Sequence, residues 1–121
     1  MEKFTIPILK SGNCLIASPQ MALHDNLAVE FKENLLQKII ENKAKGLVLD
    51  LSAIDIVDSF LVRQIGEITM SARIMGAEVV VVGLTPAVAM TLVEMGIPLL
   101  GAKVARDLEK GLALLGKAGK T

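Results

Sequence analysis

The stretch at residues 46–72, GLVLDLSAIDIVDSFLVRQIGEITMSA, changes its hydrophobic period partway along, and that change limits the folds open to the chain. Leu47, Val48, Leu49 and Leu51 form a short apolar run broken only by Asp50, the pattern of a strand covered on both faces in a parallel sheet. The spacing then becomes helical. Leu61, Ile65, Ile68, Ala72 and Met75 recur at four, three, four and three residues, which is one face of a helix. Between strand and helix lie a short loop at 52–57 and the pair Asp58-Ser59, where the helix opens. A helix entrance has unpaired backbone N–H groups and the positive end of the helix dipole. A serine there is exposed, held on rigid elements and able to carry a phosphate without unfolding its neighbours. On residue chemistry alone the simpler reading of Asp58-Ser59 is an N-cap, with Asp58 accepting from first-turn amides.

Around this unit the chain reads as α/β. Residues 4–9 are a strand candidate interrupted by Pro7, which suits only an edge. Lys10 to Asn13 is turn-rich and a strand resumes at 14–17, so the N-terminus reads as a hairpin closed by Ser18-Pro19-Gln20. A first helix is expected over 24–42, with Leu27, Phe31, Leu35 and Ile39 inward and Asp25 as its cap. Strand, helix, strand in that order predicts parallel pairing with a right-handed crossover. Gly76 stops the second helix, and 77–82 (AEVVVV) is the clearest strand by its β-branched content. Thr85-Pro86 caps and opens a short helix ended by Gly96 and Pro98, 99–104 is a last short strand, and 107–115 a last amphipathic helix. Gly111 inside that helix costs about 1 kcal/mol relative to Ala. The expectation is one domain over 1–115, a mixed sheet with an antiparallel N-terminal hairpin and parallel central strands packed with four helices. Residues 116–121, GKAGKT, are expected as a flexible tail; they lack the strand and helix of a phosphate loop.

Composition removes several function classes. Thirteen basic and thirteen acidic residues cancel, leaving no electrostatic basis for a nucleic-acid or anionic-membrane partner. With no Trp or Tyr and three Phe, there is little to stack bases on. No apolar run approaches the ~18 residues of a membrane helix, and no leader pattern follows Met1, so a cytoplasmic protein is expected. Cys14 reads as a small buried hydrophobe rather than a nucleophile. One His (His24) and one Cys cannot form a zinc site, and no triad or nucleophile elbow is present; neither enzyme activity nor a cofactor is expected. Asp50 closes a strand as a phospho-accepting Asp does in a receiver domain. The second acidic pair and the lysine a receiver needs are missing, and turn hydrogen bonding is the better reading of Asp50 and Asp55.

VLDLSAIDIVDS followed by a helix resembles the signature of the STAS family, sulphate-transporter and anti-sigma-factor-antagonist domains, over almost the whole chain. Within it the chain is most similar to the RsbS-like branch of small single-domain stressosome components. The resemblance implies that Ser59 is a regulatory phosphorylation site, flanked by Asp58, Phe60 and Asp55 as contact residues. Many STAS switch proteins follow Asp-Ser with Ser or Thr and then Gly; Phe60 and Leu61 here depart from that and fit the RsbS-like branch. Implied partners are a serine kinase of the RsbT type, related STAS proteins of the RsbR type and a phosphatase, with homo- and hetero-oligomers expected. The implied function is a scaffold that sequesters the kinase in sigma-factor stress control. A nucleotide- or small-molecule-binding STAS module is the alternative, set back by the lack of Lys or Arg in the loops at 18–20, 52–59 and 83–86.

Overall fold

The computed structural model describes residues 7–19, 25–54, 59–95 and 101–118. Its elements are β1 (Ile8–Ser11), β2 (Cys14–Ala17), α1 (Asp25–Asn42), β3 (Gly46–Asp50), α2 (Ser59–Ile74), β4 (Glu78–Val82), α3 (Pro86–Met95), β5 (Lys103–Ala105) and α4 (Leu108–Ala118). The strands form one sheet in the order β1-β2-β3-β4-β5, with β1 antiparallel to β2 and every other pair parallel. The mixed α/β sheet with four helices is the architecture expected from the sequence.

Sequential strand order has a consequence for the layers. Right-handed crossovers between successive neighbours all fall on the same face of a sheet. Accordingly α1, α2 and α3 bury Phe31, Leu35, Ile39, Leu61, Ile65 and Val88 with Leu15, Leu47, Leu49, Val79 and Val81 in one core. The alternate strand residues Cys14, Ile16, Val48, Val80 and Val82 face the other way and meet Leu115, Leu108 and Leu112 of α4. Both faces of β3 and β4 are therefore covered, which is why their sequences read as continuous apolar runs.

Glycine settles the close approach of α4. A Cβ on Gly111 would lie 2.6 Å from Val82 Cγ1, so the residue expected only to weaken the helix is what lets it lie on the sheet. Gly76, at φ 92, ends α2 as expected, with the Ala77 N–H donating to the Ala72 carbonyl at 2.9 Å. Lys32 of α1 and Glu67 of α2 form an ion pair at 2.9 Å across the two helices.

Several boundaries differ from expectation. β1 runs through Ser11, leaving Gly12-Asn13 as the turn, because Lys10 and Ser11 pair with Leu15 and Cys14. β4 starts at Glu78 rather than at 77, and β5 covers Lys103–Ala105 where 99–104 was expected; it is a short strand with exposed residues, held by β4. α4 continues to Ala118, so 116–118 are helical where a tail was expected. The expected strand residues 4–6, Gln20, His24, Asp55, Asp58, Gly96, Pro98, the start of the expected last strand at 99–100 and the tail at 119–121 lie outside the described residues.

Candidate functional site

The carboxyl ends of β2 to β5 make one edge, the usual place for function in a parallel sheet. Its centre is the end of β3. The Asp50 Oδ1 accepts the Ser52 N–H at 3.0 Å, and the Ile54 N–H donates to the Leu51 carbonyl at 3.0 Å, folding 50–54 into a tight turn. The Leu51 N–H donates to the Val82 carbonyl at 3.0 Å, so the turn stays fastened to β4, and Leu51 and Ile54 are buried beneath it. Gly83, at φ 76, completes the fit. A Cβ there would meet Asp50 Oδ1 at 2.8 Å and the Ser52 nitrogen at 2.9 Å. Asp50 thus serves its own turn, as expected of it, and the sheet order is not the 2-1-3-4-5 order of a receiver domain.

α2 starts with Ser59, which is exposed. Phe60 beside it is half-buried and packs partly against the main core, and Leu61 and Val62 are fully inside. The hydroxyl therefore stands on a firmly rooted first turn. That turn contains no acidic residue, so the positive end of the helix dipole is not neutralised from within the helix. Of the four residues expected at the site, Ser59 and Phe60 come together here.

The same edge carries two capped helices. Thr85 Oγ1 accepts the Val88 N–H at 3.2 Å, as expected of an N-cap, and Asp107 Oδ1 accepts the Lys110 N–H at 2.9 Å. The Gly83 N–H donates to the Arg106 carbonyl at 3.3 Å, tying the β5–α4 connection to the edge. Arg106 is thus a cation at this edge, where the three loops inspected in the sequence have none. The readable sign was Arg106-Asp107 just before α4, a strand end followed by a cap.

Cys14 is buried on the α4 side, and burial pushes its thiol up, away from nucleophilic use. No cluster of three or more His, Cys, Asp or Glu suited to a metal occurs among the described residues. None of the described helices is long and apolar enough to cross a membrane.

With fold and edge in view, comparison with known proteins gives the family. The model for the STAS domain matches residues 5–110, and the chain belongs to the STAS-domain family. It is similar to RsbS of Moorella thermoacetica, solved in a serine-to-glutamate form, at 39% identity and TM-score 0.83, covering 96% of this chain and 98% of that one. It is also 39% identical, with TM-score 0.77, to a chain in a structure of the stressosome, "a signal integration and transduction hub", covering 95% of this chain and 100% of that one. The RsbT co-antagonist protein RsbRA of Bacillus subtilis is 23% identical over 113 residues, 93% of this chain, and this chain spans 41% of that protein's length.

Proposed function

We propose that this chain is a non-enzymatic signalling scaffold of a stressosome-like assembly, a STAS domain that holds a serine kinase of the RsbT type and releases it when Ser59 is phosphorylated. The observation that carries this reading is the exposed Ser59 at the first position of α2, with half-buried Phe60 next to it. Full-length similarity to RsbS and to a stressosome chain supports it. Similarity to RsbRA supports related STAS proteins of the RsbR type as further partners. A phosphatase would reset the switch.

The mechanism follows from charge and solvation. A phosphate on Ser59 adds about −1.5 to −2 charge at pH 7. The positive end of the α2 dipole favours a negative charge there, so the fold is unchanged. A kinase packed on Phe60 is a different matter, because closing that interface buries a dianion, which costs several kcal/mol unless the partner pairs it. Asp58, next to Ser59 in the sequence, and Asp55, four residues before it, add like charge in this reading. Titration of the kinase into wild-type and Ser59→Asp protein tests the mechanism: the variant is expected to bind roughly tenfold or more weakly, and equal affinity would refute it.

The small-molecule alternative gains one feature, Arg106 at the edge. It remains the second reading, since the loops at 18–20, 52–59 and 83–86 add no Lys or Arg to Arg106 and the sequence has no Trp or Tyr to stack a base.

A further inference from the structure

Ser59 has a cationic neighbour on its own helix. Arg63 follows it by four residues within α2, and at that spacing two side chains share a face, with about 5–6 Å between Cβ atoms. A turn of about 100° per residue puts Arg63 about 40° round the helix from Ser59 and about 60° from Phe60. It therefore lies between the two, one turn further on. Helical side chains lean toward the N-terminus, so a long side chain at 63 covers the turn that holds Ser59 and Phe60.

The charge of Arg63 is uncommitted. The residue is exposed and belongs to no ion pair among the described residues. Its neighbours three and four residues away on α2 are Ser59, Phe60, Gly66 and Glu67. Glu67 is the one carboxylate among them, and Lys32 of α1 already holds it at 2.9 Å. That interhelical ion pair leaves the Ser59 hydroxyl as the remaining polar neighbour of Arg63 at these spacings. We infer that Arg63 receives the phosphate when Ser59 is modified, pairing with it across the first turn of α2. A guanidinium fork matches two phosphate oxygens at once, which fixes direction as well as distance.

This pairing rests on the proposed modification of Ser59 and specifies where its phosphate goes. Before modification the face presents half-buried Phe60 beside an unpaired cation. Afterwards it presents the same ring beside a hydrated ion pair, which a partner seated on Phe60 has to strip of water. The same event withdraws the Arg63 cation from that partner. Arg63 is a positioning residue: it acts through the phosphate, by holding it along the helix next to Phe60.

Phosphorus NMR of the full chain, with Ser59 incorporated as phosphoserine during synthesis, tests the pair without any kinase. The readout is the second ionisation of the phosphate, ordinarily near pH 6, which a paired cation lowers. Protein with Arg63 is expected to titrate about half a pH unit or more below Arg63→Gln at low salt. Added salt narrows the gap. Arg63→Lys is expected to recover part of it, a point charge replacing the fork. Asp58, the Lys32–Glu67 pair and the helix dipole act alike in all three proteins, and circular dichroism checks that each keeps its fold. Equal titration with Arg63 and with Gln at that position would overturn the pair alone. A kinase that marks a different residue would overturn the reading of Ser59 alone.

Discussion

Gln64 sits one turn beyond Phe60, 7% exposed, among Phe31, Leu49, Leu61 and Ile68. Its Oε1 has no hydrogen-bond partner among the described residues. Thr69, also buried in α2, is satisfied by donating to the Ile65 carbonyl at 2.8 Å. A buried acceptor left unpaired costs about 1–3 kcal/mol, so Gln64→Met, which keeps the length and removes the amide, is expected to raise stability by about 1 kcal/mol in urea unfolding. A loss of stability would mean that the carbonyl oxygen is engaged after all. The apolar spacing that located Leu61, Ile65, Ile68 and Ala72 passed over Gln64 and Thr69, although both lie inside. A hydrophobic period reports only the apolar members of a buried face. Ser59 and Phe60 were legible because a change of period marks a helix entrance whatever residues stand there.

At the scale of elements, Gly111 reverses its sequence reading. Helix propensity says that Gly111→Ala gains about 1 kcal/mol. The sheet says otherwise, since the new methyl would stand 2.6 Å from Val82 Cγ1 and 3.4 Å from Val80 Cγ1. Overpacking of that kind costs about 1–3 kcal/mol, and the variant is expected to be destabilised by about 1 kcal/mol or more in denaturant unfolding, with α4 loosened from the sheet. A stabilised variant would contradict the close approach. Long periodic elements and glycine stops were readable: α2, β4, the Thr85-Pro86 entrance and the Gly76 stop stand where the pattern put them, within a residue or two. β5 was harder to read, because a strand of three residues with two exposed side chains has no periodicity. Misplacing it also hid Arg106 from the list of edge cations.

At the scale of the whole molecule, α2 joins the two ends of the fold. The carboxyl edge of the sheet carries the turn at 50–54, fastened by Asp50 and Leu51, and Ser59 and Phe60 at the start of α2. The opposite end carries a groove where α1 and α2 finish. α2 is the rigid spacer between them, tied to α1 by its core face and by Lys32–Glu67. A rigid spacer predicts that a change at one end leaves the other undisturbed. Ser59→Ala, at an exposed first helical position, is expected to alter unfolding free energy by no more than about 0.5 kcal/mol while holding the kinase permanently. A destabilised variant would give Ser59 a structural task and weaken the case for a switch.

The central claim concerns one hydroxyl, and phosphosite mapping by mass spectrometry addresses it most directly. The protein and Ser59→Ala would each be incubated with the cognate serine kinase and Mg-ATP, beside an acetyl-phosphate control. The account predicts acid-stable phosphate on Ser59 of the wild type and none on the variant or in the control. Phosphate confined to another residue, acid-labile label on Asp50 from acetyl phosphate, or no label at all would contradict it.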